Sequence, residues 1–201
     1  LMLESCCEQI ARWRAEHRSI VPVAVNVSML QLTDSDFAKR VLDTLSRLGL
    51  PPSCLGIEVT ESTLIQQIDV ALPQLERLRT AGLEISIDDF GTGYSSLAAL
   101  RRLPADVLKI DQSFVRDMTA SPDGLIMVET IMAMALALGH KVVAEGVETP
   151  EQLALLKRLG CHQVQGWLIA PPLPAEEFVE LMDAGDSSTA LPLLRDRTAV
   201  A

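Results

Sequence analysis

Six short aliphatic segments, each followed by a stretch of helical character, constrain this chain more than any other feature. They lie at 21–27, 55–60, 83–88, 106–110, 141–145 and 162–168. Between them the spacing and punctuation predict helices at 1–17, about 34–48, about 63–81, near 94–102, 125–138, about 150–159 and 174–184. Gly49 with Pro51-Pro52, Gly82 and Gly139 close the helices before them, and Ser121-Pro122 and Thr149-Pro150 read as helix starts. Strands that alternate with helices imply a parallel sheet with helical crossovers.

Parity within the strands separates an open sheet from a barrel. One parity is aliphatic: Val23, Val25 and Val27; Ile57 and Val59; Ile85 and Ile87; Leu108 and Ile110; Val142 and Ala144. The other carries a polar group near the strand's end: Asn26, Glu58, Asp88, Lys109, Glu145 and Gln165. An open parallel sheet, covered on both faces, reads apolar on both parities. Polar strand ends aimed at a common mouth belong instead to a TIM-barrel-like (β/α) barrel. Such barrels have eight strands in about 250 residues, so the chain is expected to be short by roughly two, lost before Leu1. We expect one domain over 1–185 and a tail over 186–201.

The 201 residues are 48% hydrophobic with few aromatics, enough for one aliphatic core, and the net charge of −10 argues against broad binding to DNA, RNA or acidic membrane. A small phosphorylated ligand remains compatible, because bound cations bridge acid to phosphate. Four cysteines without CxxC spacing fit a reduced, cytoplasmic setting, and no apolar run is long enough to span a bilayer. Direct membrane insertion is therefore not expected. The three histidines follow no ligand spacing, and Met127, Met132 and Met134 read as core filler.

The chemistry concentrates in Asp88-Asp89-Phe90-Gly91-Thr92-Gly93, where an aliphatic strand delivers two acids into a glycine turn. Alone, such acids are as consistent with turn capping as with ion binding. Six polar residues at one structural position make independent capping a strained account. Asn26, Glu58, Asp88 and Asp89 form an oxygen-rich set suited to Mg²⁺, Mn²⁺ or Ca²⁺. Asp88 is placed to bridge two ions, the geometry for displacement at phosphorus. Lys109 would stabilise charge or hold an activated water, and Glu145 would bind the second ion or accept a proton. Glu61 either caps the helix near Thr63 or braces the Asp89 loop.

In order, Asn26-Val27-Ser28, Glu58-Val59-Thr60-Glu61, Asp88-Asp89-Phe90-Gly91-Thr92-Gly93, Leu108-Lys109-Ile110-Asp111, Ala144-Glu145-Gly146-Val147-Glu148 and Gln165-Gly166 resemble the motifs of the EAL-domain phosphodiesterases. That family hydrolyses cyclic di-GMP to linear pGpG. The resemblance implies that Asn26, Glu58 and Asp88 hold a first metal and that Asp88 and Asp89 hold a second. It implies that Lys109 and Glu145 position and activate water, that Glu148 and Gln165 line the pocket, and that Glu61 holds a loop 89–97 linked to a homodimer interface. Mg²⁺ or Mn²⁺ is the implied cofactor, with Ca²⁺ inhibitory.

Two departures bear on activity. No Glu-Ala-Leu occurs in the chain, and Ala170-Pro171-Pro172 stands where many members place a basic residue before proline. The missing motif supplies a metal-binding glutamate, so this chain alone is expected to turn over little and an upstream-extended one to regain activity. The alternative is a degenerate module that binds cyclic di-GMP without cleaving it. A more distant one is an enolase-like barrel, which also places carboxylates and a lysine on successive strands.

Overall fold

In the computed structural model the described residues are 2–16, 21–66, 68–93 and 101–186. They fall into two compact units, Leu1–Val107 and Leu108–Ala201. The first contains α1 (Met2–Ala15), β1 (Val23–Asn26), α2 (Met29–Leu32), α3 (Phe37–Arg47), β2 (Leu55–Thr60), α4 (Glu61–Gln66), α5 (Ile68–Ala81) and β3 (Glu84–Phe90). In the second, apart from Val107 at the start of β4, are β4 (Val107–Ile110), α6 (Gln112–Asp117), α7 (Pro122–Ala137), β5 (Lys141–Ala144), α8 (Pro150–Arg158), β6 (Gln163–Val164) and α9 (Ala175–Asp186). Strand order is sequential in each unit, β1-β2-β3 and β4-β5-β6. The pairings of β1 with β2, β2 with β3 and β5 with β6 are all parallel.

The predicted parity explains the first unit's core. Leu55, Ile57, Val59, Ile85 and Ile87 are 0–1% exposed, and α5 packs on β3 with Ala71, Leu75 and Leu78 equally buried. Full burial of each such side chain contributes about 1.5–3 kcal/mol. In the second unit Leu108, Ile110, Val142 and Ala144 are completely buried. Within the first unit, Asp106 is fastened to β3 and α5. Its N–H donates to the Ile85 carbonyl at 2.8 Å, and its carboxylate accepts from Ile85 N–H at 3.0 Å and Arg79 Nε at 2.8 Å.

Local signals behave as expected at several ends. Ser121 Oγ accepts the Gly124 N–H at 3.0 Å, and Thr149 with Gln152 forms a capping box at the head of α8. Gly139, at φ 79°, lets His140 N–H return to the Ala135 carbonyl at 3.0 Å and so ends α7.

Elsewhere the structure corrects the expectations. The helix expected over 34–48 begins only at Phe37, after a separate short α2, and the one expected over 63–81 is two helices, α4 and α5. α6 was not foreseen. β6 spans two residues rather than seven, because Gly166 immediately packs against Val147. β3 does not stop at Asp88 but runs to the buried Phe90. Met127 is 45% exposed and no core filler, unlike Met132. His162 is more than a surface residue, since its Nδ1 accepts the Val142 N–H at 3.0 Å. Most of the helix expected near 94–102, and the tail from 187 on, lie outside the described residues.

All four cysteines are free. Burial pushes the Cys7 and Cys161 thiols up to about 11 from the ordinary 9.0, with Cys6, Cys54 and Glu4 adding to the effect at Cys7. A raised thiol pKa favours the protonated form in the fold. This contribution to stability is complete below pH 9.0 and is lost as pH rises through about 11. Iodoacetamide at pH 8 is therefore expected to spare Cys7 and Cys161 until denaturant is added. Peptide mapping that finds either alkylated in the native chain would contradict this.

Candidate active site

In the first unit, register places the donors. Asn26 is the direct partner of Glu58, Glu58 of Ser86, and Thr60 of Asp88. Paired residues share a face, so Asn26, Glu58 and Asp88 stand on one side while Val25, Ile57, Val59, Ile85 and Ile87 occupy the other. Neighbouring strands are about 4.8 Å apart, and Asp88 lies one side-chain repeat beyond the level of Asn26 and Glu58. An amide and two carboxylates at such spacing are hard oxygen donors. The set fits a divalent cation of the Mg²⁺, Mn²⁺ or Ca²⁺ type and suits no soft metal.

Asp89 is the one non-glycine residue with positive φ, 53°, among the described residues. Aspartate tolerates this left-handed conformation better than most residues, although it still costs about 1–2 kcal/mol. The turn that holds it is local. Asp89 N–H donates to Asp88 Oδ1 at 3.1 Å, while Thr92 N–H and Oγ1 donate to the Asp89 carbonyl at 3.3 and 2.8 Å. The strict alternation of a strand is thereby broken between the two acids.

Glu61 resolves the alternative left open by the sequence. It is the first residue of α4 rather than a cap before it, and it is 2% exposed. Its Oε2 accepts the N–H groups of Gly91 at 2.8 Å and Gly93 at 3.3 Å. A Cβ at position 93 would sit 3.1 Å from Glu61 Cδ, a tight contact that would push the carboxylate by a few tenths of an ångström.

The second unit brings together Lys109, Glu145 and Gln165. Lys109 is 5% exposed, and its Nζ lies 2.6 Å from Glu145 Oε1. The same oxygen accepts Gln165 Nε2 at 2.6 Å. The backbone aligns these groups: Glu145 N–H donates to the Ile110 carbonyl at 3.1 Å and Gln165 N–H to the Ala144 carbonyl at 2.9 Å. Glu148 takes a different position. It is exposed, and its N–H joins that of Thr149 on Gln152 Oε1, at 2.8 and 3.0 Å, in the cap of α8.

A buried lysine held by a strand-end carboxylate is expensive to desolvate and is seldom kept for stability alone. It can hold charge beside a reacting oxygen, and the carboxylate can take a proton. Asp106 and Gln152 escaped sequence reasoning. The available signals were an acid heading a strand near a helix-terminal arginine, and a glutamine three residues after a threonine cap.

Residues 1–172 match the EAL domain family, and the chain belongs to it. The cyclic di-GMP phosphodiesterase NbdA of Pseudomonas aeruginosa is 44% identical over 192 residues, which is 96% of this chain and 24% of NbdA. The chain spans about a quarter of the length of the curated relatives it matches. Among solved structures, the P. aeruginosa MucR phosphodiesterase in complex with c-di-GMP is 44% identical, with a TM-score of 0.82 over 88% of this chain and 71% of that one. The EAL domain of Mycobacterium smegmatis DcpA is 39% identical, with a TM-score of 0.84 over 91% and 82%. The α/β fold is thus that of the TIM-barrel-like EAL structures.

Proposed function

We propose that the protein carrying this chain hydrolyses one phosphodiester bond of cyclic di-GMP to give linear pGpG, with two divalent cations, Mg²⁺ or Mn²⁺. The observation that carries the reading is the buried Lys109–Glu145 pair, at 2.6 Å, tethered by Gln165. A receptor needs no such pair, whereas hydrolysis needs a group to orient water and one to take its proton. Family membership and the names of the relatives support the substrate.

In this reading Asn26, Glu58 and Asp88 would hold the first cation, and Asp88 with Asp89 the second. Bound there, the cations would activate water and neutralise charge developing on the phosphate. Glu145 orients the water and takes its proton, and Lys109 anchors the Glu145 carboxylate while offering positive charge to the transition state. Glu148 and Gln165 border the dinucleotide, and Glu61 fixes the Gly91–Gly93 turn behind the acids. Because pGpG carries a 5′-phosphate, the new bond is from water oxygen to phosphorus and the bond that breaks is to the 3′ oxygen. The 3′ oxygen leaves with the bonding pair and takes a proton from solvent to become the 3′ hydroxyl.

We further place the reaction in second-messenger signalling, in the cytoplasm and in a homodimer. No described helix is long and apolar enough to cross a membrane, and the negative charge disfavours nucleic acid. Metal removal tests the cation requirement. The protein carrying this chain should lose cyclic di-GMP turnover in EDTA and regain it with Mg²⁺ or Mn²⁺, and D88N should regain none. Turnover that persists in EDTA would overturn the two-metal reading.

A further inference from the structure

We propose that Trp167 is a stacking platform for one guanine base of the bound dinucleotide, an inference that rests on the phosphodiesterase reading above. The chain has two tryptophans. Trp13 is 8% exposed and belongs to the core; Trp167 is 67% exposed. In a chain with few aromatics, this exposed indole offers a wide flat face on which another ring can lie.

Its backbone tells what kind of partner. Trp167 follows Gln165-Gly166 at the end of β6, two residues from the side chain that holds Glu145. The segment is fastened on both sides. Val147 N–H donates to the Gln165 carbonyl at 3.0 Å, Leu168 N–H to the Val147 carbonyl at 3.0 Å, and Ile169 N–H to the Gly166 carbonyl at 2.9 Å. Gly166 packs so closely that a Cβ there would fall 2.3 Å from Val147 N. The indole is thus exposed on a fixed backbone, two residues along the chain from Gln165, whose side chain holds Glu145.

A fixed aromatic surface pays little ordering entropy when a flat ring settles on it. Purines are the widest such rings in a dinucleotide, and each base–aromatic stack is typically lost by alanine substitution at a cost of roughly fivefold or more in affinity. Stacking also needs no net charge from the protein, which suits a chain of net charge −10.

The test titrates the full chain with cyclic di-GMP by calorimetry, with Ca²⁺ replacing Mg²⁺ so that the ligand stays intact. W167A should bind about fivefold or more weaker than wild type, W167F nearly as well as wild type, and thermal midpoints should agree because the side chain is largely exposed. In W13F, where Trp167 is the sole tryptophan, its fluorescence excited at 295 nm should be quenched on binding. Equal affinity of W167A and wild type, with unaltered Trp167 emission, overturns the stacking role and leaves the phosphodiesterase reading standing. Absence of binding by wild type overturns that reading and the inference with it.

Discussion

Replacing Glu145 by glutamine should lower kcat for cyclic di-GMP by about 10²–10⁴-fold, the usual contribution of a positioned general base. The affinity for the dinucleotide should change much less. Glutamine keeps an oxygen where Oε1 stands, so Lys109 Nζ and Gln165 Nε2, each at 2.6 Å, retain an acceptor. What is lost is the negative charge and the ability to take a proton. Lys109 is 5% exposed, so losing its counter-charge also weakens the fold. A urea titration run beside the assay separates the two effects. The role assigned to Glu145 fails if E145Q, folded at the assay temperature, retains wild-type kcat.

The second large effect is expected at Glu61. Its Oε2 satisfies two loop amides from a site only 2% exposed. Hydrogen bonds to a charged acceptor contribute about 1.5–3 kcal/mol each, and truncation to alanine leaves both donors seeking new partners beside a void. E61A should therefore destabilise the first unit by about 2–4 kcal/mol. It should also release the turn that holds Asp89 at φ 53°, and with it the second proposed cation position. Hydrogen exchange gives the sharper readout, because the amides of Gly91 and Gly93 should lose protection while those of β2 keep theirs. Unchanged protection at Gly91 and Gly93 would show that the turn stands without Glu61. E61Q, which preserves one acceptor oxygen, should fall between E61A and wild type.

Much of this architecture is legible in the sequence, and the reasons are local. Ile57, Val59, Ile85 and Ile87 advertise one buried face by their period of two, and the structure buries them completely or nearly so. Thr149-Pro150 and Ser121-Pro122 announce helix starts through side-chain oxygens and a proline at the first helical position, a pattern that needs no distant partner. The same logic extends to elements that were overlooked. Ser28 and Gln31 form a capping box over the short α2, and Asp111 accepts the Ser113 N–H at the head of α6.

What was not legible depends on contacts far apart in sequence. Nothing near Asp89 tells that its strand continues to Phe90 through a left-handed residue. That outcome is set by the local turn together with Glu61, thirty positions from Gly91. The brevity of β6 likewise comes from Gly166 meeting Val147, not from the aliphatic look of 162–168. At the site, motif order assigned roles that spacing alone left open. The 2.6 Å contacts of Glu145 with Lys109 and Gln165 then supplied a physical reason for grouping those three. Glu148 has no comparable contact with them, and its proposed role rests on the motif.

The most direct test of hydrolysis is the fate of water oxygen. The protein carrying this chain, incubated with cyclic di-GMP and Mg²⁺ in water enriched in oxygen-18, should release linear pGpG with one heavy oxygen in its 5′-phosphate, and E145Q should release almost none. Recovery of intact, unlabelled cyclic di-GMP from wild type that binds it under the same conditions would contradict the account.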